Sequence, residues 1–134
     1  MDSLETRLAS MLEELEIVGD WTDKYRLLVE WGEAEEPLPP DECLPEWEVP
    51  GCSSPLWLRT RWTGPVLEVK GASTGLLPRS LVAVVVRLFD GLDDVSGAVP
   101  ALLDKLDLRR NLSPTRGMVL ERMLERIRKT PRPA

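Results

Sequence analysis

Five prolines between Pro37 and Pro50 decide where this chain can be helical and where it cannot. Each proline in "EAEEPLPPDECLPEWEVPG" holds its φ near about −65° and lacks an N–H, so no helix runs through the segment and its path is extended. The stretch is long for an irregular connection in a compact domain, and such loops tend to be functional or mobile. It separates a helical beginning from an alternating middle. It also delivers the chain to Cys52, directly after Pro50-Gly51.

Before the prolines the pattern is helical. Leu4, Leu8, Met11, Leu12 and Leu15 recur on one face of a 3.6-residue period, with Asp2 or Ser3 as cap and Gly19 as stop. Asp20 caps a second helix, whose Trp21, Tyr25, Leu27, Leu28 and Trp31 read as core and whose expected stop is Gly32. After the prolines, Leu56 to Trp62 and Val66 to Lys70 alternate about a turn at Thr63 to Pro65, which predicts an antiparallel hairpin. Glu46 to Val49 is expected to add a short third strand.

"LLPRSLVAVVVRLFDG" is a strand by its valines and a buried helix by its length, its early Pro78 and its Asp90-Gly91 stop; helix is the reading adopted. Pro100 to Leu106 is a short helix. In "NLSPTRGMVLERMLERIRK", Ser113 caps and Pro114 opens the last helix. Met118, Leu120, Met123, Leu124 and Ile127 form its apolar side, while Arg126, Arg128 and Lys129 complement its C-terminal dipole. The expected fold is therefore α+β: a small antiparallel sheet of about three strands packed against N- and C-terminal helices. It forms one domain over residues 1–134, with 130–134 a frayed tail.

Composition narrows the chemistry. The chain holds 134 residues, enough for one core, with 43% apolar and 30% charged side chains. The longest apolar run, Leu81 to Val86, is too short for a bilayer, and "MDSLETRL" has no signal-peptide pattern, so a cytoplasmic protein is expected. With no histidine, neither a Ser-His-Asp triad nor a Cys-His pair can be built, nor a histidine-bound zinc or haem site. Two cysteines are no disulfide framework for this size. Residues 1–50 carry a net charge of −12 and residues 51–134 a net of +6. That polarity either solubilises the first helices or steers a charged protein partner, whereas the acidic total disfavours nucleic acid. No phosphate-cradling glycine loop is present.

Cys52 in "VPGCSSPLW" remains. It is either a small packed hydrophobe or the working group. A thiolate needs no histidine for exchange at sulfur, because the leaving group is another sulfur anion. Turn N–H groups or an arginine can lower its pKa.

The motif "VPGCSSPLWL" resembles the Gly-Cys-x-Ser-x-(aliphatic)-Trp signature of the SufE/CsdE sulfur acceptors. "DWTDKYRLLVEWGEAEEPLPP" resembles that family's N-terminal helix, and "NLSPTRGMVLERMLERIR" its C-terminal (His/Asn)-Leu-(Ser/Thr)-Pro-x-Arg helix start. The likeness spans nearly the whole chain. It departs at Ser53, often Gln in the family, and at Ala72, Ser73 and Thr74, where acidic residues are usual.

The resemblance implies a SufE-like domain that is not itself an enzyme but a covalent partner of a cysteine desulfurase. Cys52 would take persulfide sulfur, stimulate the desulfurase and pass the sulfur to an iron–sulfur scaffold complex. Gly51, Ser54, Trp57 and Arg116 would support the loop or the partner contact, with Val49, Leu56 and Trp57 sheltering the persulfide. Pyridoxal phosphate would belong to the desulfurase, with no cofactor or metal on this chain, no nucleic acid or membrane among its partners, and a monomer or weak dimer as its state. The competing readings are a non-catalytic interaction domain of the same fold and a thiol–disulfide regulator using Cys43 and Cys52.

Overall fold

The computed structural model describes residues 2–133. Two helices, α1 (Leu4–Val18) and α2 (Trp21–Ala34), precede the hairpin β1 (Leu56–Thr63) and β2 (Val66–Ser73). Three helices follow: α3 (Leu76–Phe89), α4 (Ala101–Lys105) and α5 (Pro114–Lys129). The proline segment folds into two single 3₁₀ turns, Pro40–Glu42 and Pro45–Trp47.

The helix starts follow local chemistry. Ser3 Oγ accepts from the Thr6 N–H at 3.2 Å, Asp20 Oδ1 from the Asp23 N–H at 3.0 Å, and Ser113 Oγ from the Arg116 N–H at 3.3 Å. Each satisfies one of the orphan donors of a first turn.

The valine-rich segment is helix α3, and ten of its residues are buried. It lies between α2 on one side and the sheet on the other, so an apolar surface all round is what its position requires. Gly32 does not stop α2, which runs on to Ala34. A Cβ at Gly32 would lie 2.9 Å from the Ser80 N, so this glycine lets α2 and α3 approach closely. On α5 the core face is Val119, Leu120, Met123, Leu124 and Ile127, whereas Met118, expected on that face, is 44% exposed.

The sheet has two strands rather than about three. They pair antiparallel from Leu56↔Ser73 to Thr63↔Val66, with Gly64-Pro65 as the turn. Of the expected third strand only Glu48 pairs, in a single antiparallel bridge to Trp57. Pro45 turns the chain into a 3₁₀ helix on one side and Pro50 lacks a donor on the other, so no ladder can grow.

Leu56, Leu58, Leu67 and Val69 are wholly buried beneath α3 and α5. The opposite face is partly covered by the proline segment, where Leu38 is buried and its N–H donates to the Gly71 carbonyl at 2.9 Å. Arg59 is buried there, ion-paired to Glu42 and, at 2.6 Å, to Glu68. It thereby pins the proline segment to β1.

The tail expected to fray is held at two points. The Thr60 and Thr130 hydroxyls share a hydrogen bond of 2.7 Å, and the Arg132 guanidinium stands 3.8 Å above the Trp62 ring. Ala134 lies outside the described residues.

Candidate functional site

The Glu48–Trp57 bridge and a hydrogen bond from the Val49 N–H to the Leu56 carbonyl, 2.8 Å, close the neck of a loop. Pro50 to Pro55 form its head, with Cys52 inside it. Gly51 has φ +92°, a left-handed conformation that a glycine adopts without penalty. Cys52 is half-buried, and its side chain packs against the hydrophobic core rather than standing free in solvent. Gly51 and Ser53 on either side are exposed.

The loop is tied from two directions. On the β2 side, Ser73 Oγ donates to the Pro55 carbonyl at 2.6 Å and accepts from the Gly75 N–H at 3.3 Å. Ser54 fills the space in front of Gly75, where an added Cβ would stand 2.6 Å from Ser54 Oγ. On the α5 side, Arg122 Nη1 donates to the Pro50 carbonyl at 2.6 Å. One turn on, Arg126 Nη1 donates to the carbonyls of Trp47 at 2.6 Å and Leu58 at 3.0 Å, and Nη2 to that of Glu48 at 3.0 Å. Burial holds the Arg126 pKa below the usual arginine value, yet a guanidinium stays charged throughout the working range.

Val49 and Leu56, expected to shelter the thiol, are core residues. Trp57 is half-buried on the strand face opposite Leu56 and Leu58. Arg116 is half-buried as a residue, and its guanidinium makes no hydrogen bond or ion pair among the described residues. The contacts from α5 to the cysteine loop come instead from Arg122 and Arg126, which sequence reasoning missed. Local sequence gives Arg126 to the helix dipole and Arg122 no role, because their acceptors lie 68 to 79 residues away.

A cleft of about 550 Å³ opens beside the loop, walled by Trp47, Val49, Pro50, Arg122 and Arg126 among others. Cys52 is not on its wall.

Cys43 sits in a different environment. Its Sγ donates to the Pro39 carbonyl at 3.5 Å and the Leu38 carbonyl at 3.8 Å. Desolvation, then the charges of Asp41 and Glu42, push its pKa up, which holds it as the thiol at neutral pH. Both cysteines are free. No helix among the described residues is long and apolar enough to cross a membrane.

A family model described as "SufE: Fe-S metabolism associated domain" matches residues 9–130, a span that holds the cysteine loop, both strands and all of α5. The chain belongs to the SufE family. Proteins named as SufE-like from Rhizobium etli and Rhizobium meliloti are each 32% identical to it over 130 residues. The alignment covers 90% of this chain and 86% of the first relative, and 92% and 93% for the second. A solution structure of a hypothetical protein from Thermus thermophilus superposes with a TM-score of 0.73 at 18% identity, covering 91% of this chain and 90% of that one. At that identity it speaks for the fold alone. Membership of the SufE family places the chain in iron–sulfur metabolism.

Proposed function

We propose that this SufE-family chain is a sulfur acceptor and carrier, with Cys52 as the thiol that takes persulfide sulfur from a cysteine desulfurase. The observation that carries the reading is Cys52 itself. It stands half-buried at the head of a loop whose neck is closed by backbone pairing, packed against the hydrophobic core.

The chemistry suits a site without histidine. The Cys52 thiol gives its proton to solvent. Its thiolate attacks the outer sulfur of the donor's persulfide, a new S–S bond forms on Cys52, and the donor's own thiolate leaves as the old S–S bond breaks. No general base on this chain is required, because the leaving thiolate is a stable anion. Pyridoxal phosphate chemistry belongs to the desulfurase that makes the donor persulfide. A scaffold thiolate collects the sulfur by the same exchange. The chain stimulates the desulfurase by clearing its persulfide and is not an enzyme on its own. Arg116 serves the partner contact in this reading, supported by its position in "LSPTR" and by a guanidinium with no partner among the described residues.

Mass spectrometry after one turnover with a desulfurase and cysteine tests the assignment. The parent and Cys43→Ser gain one sulfur, and Cys52→Ser gains none, because a hydroxyl is not an anion at neutral pH. The Cys52→Ser fold stays within about 1 kcal/mol of the parent, the substitution being close in size. Sulfur on Cys52→Ser, or its loss in Cys43→Ser, ends the reading. A reversible Cys43–Cys52 bridge points to the thiol–disulfide regulator instead.

A further inference from the structure

The head of the cysteine loop is held very unevenly. Pro50 and Gly51 form a turn, and from Gly51 to Ser54 no hydrogen bond to another element is made among the described residues. Pro55 is secured by Ser73 and by the strand that begins at the next residue. At the other end, beyond the Val49 N–H and the Pro50-Gly51 turn, the hydrogen bond from another element among the described residues is that of Arg122, reaching from α5 across 72 residues of sequence.

Two consequences follow from where Arg122 Nη1 sits. Arg122 Nη1 donates to the Pro50 carbonyl at 2.6 Å. The same guanidinium also occupies the space over Gly51 in which a Cβ would stand, so any side chain there would displace it. Gly51 is therefore needed twice, once for its φ of +92° and once to leave room for the arginine. A cation seated over a bare Cα, gripping the carbonyl just before it, controls the hinge from which Cys52 hangs.

We infer that Arg122 is a positioning residue that latches the Cys52 loop against the core, and that its release lets the thiol swing outward. A flexible arginine suits this role, because one hydrogen bond holds the closed loop and its exchange for another acceptor frees it. The functional weight of the latch rests on Cys52 being the sulfur acceptor, but the latch can be tested without any sulfur transfer.

The experiment uses the full chain with Cys43→Ser, so that only Cys52 reacts. Iodoacetamide modification is followed by mass spectrometry across pH. When closing is fast, the rate follows the population of the open loop. Arg122→Met keeps length and bulk but removes the donor; Arg122→Lys keeps a donor. Arg110→Ala removes the same charge at a remote site, where the side chain is 81% exposed and pairs only with Asp107.

Loss of one hydrogen bond shifts such a population about fivefold. Arg122→Met therefore raises the high-pH plateau rate about fivefold. Arg122→Lys falls between Arg122→Met and the parent, and Arg110→Ala matches the parent. A parent-like plateau in Arg122→Met overturns the latch, as does a rise that Arg122→Lys or Arg110→Ala equals. A Cys52 that accepted no sulfur would end the acceptor reading and leave these rates untouched.

Discussion

Replacing Gly32 and Gly117 by alanine in turn makes the same chemical change in two helices and should have opposite effects. Gly117 lies in α5 with open space where its Cβ would stand. Alanine there gains about 0.5–1 kcal/mol from reduced unfolded-state freedom. Gly32 lies in α2 with the Ser80 N, Arg79 C and Ser80 Cα at 2.9, 3.0 and 3.1 Å from the added Cβ. All three are backbone atoms of α3, so no side chain can turn aside and the helices must separate. Overpacking of this kind costs about 1–3 kcal/mol, against which alanine's helix preference returns about 1. The three simultaneous backbone contacts place Gly32→Ala in the upper part of that range, a net loss of about 1–2 kcal/mol. Urea denaturation at constant m-value measures both. In thermal melts each kcal/mol corresponds to about 3–5 °C for a domain of this size. If Gly32→Ala is as stable as Gly117→Ala, the α2–α3 contact is not the tight crossing described, and the burial argument for α3 weakens with it.

Other expectations follow from single groups. Burial raises the Glu35 pKa, so its charged form is disfavoured in the fold and costs stability at pH values above both its folded value and its ordinary 4.5. Glu35→Gln should therefore be slightly more stable than the parent at pH 7, by less than about 1 kcal/mol. The advantage should vanish as pH falls below 4.5, where both side chains are neutral; a constant difference across that range would refute it. Cys43, its pKa raised by desolvation and by Asp41 and Glu42, should alkylate in the Cys52→Ser background with a midpoint above the ordinary 9.0, and a midpoint at or below that value would refute the assignment. Arg116→Ala should lower desulfurase stimulation while leaving the denaturation midpoint within about 0.5 kcal/mol of the parent. Unchanged stimulation and partner affinity would remove Arg116 from the partner contact.

What the sequence determined by itself is local. Ser3, Asp20 and Ser113 lie within three residues of the N–H groups they accept from, so the three helix starts could be read directly. The hairpin was legible because alternation and the Gly64-Pro65 turn act between neighbours. Pro50-Gly51 announced the bend at Cys52 for the same reason. Tertiary structure decided what depends on partners far along the chain. The helix of α3 is legible in its length, its Pro78 and its Asp90-Gly91 stop, but only the structure shows why it is apolar all round: α2 and the sheet cover both sides. Gly32 reads as a stop, and only the Ser80 backbone pressed against it shows why a glycine stands inside a helix that runs on to Ala34. Arg59 shares a strand face with the half-buried Trp57 and the exposed Arg61, yet it is itself buried, ion-paired to Glu42, 17 residues earlier. Arg126 reads locally as a cation at the end of a helix, and nothing near Arg122 in sequence marks it for a role. Folding brought the carbonyls of Trp47, Glu48, Pro50 and Leu58 to them, because a guanidinium on α5 reaches the loop neck only once the hairpin and α5 are packed together.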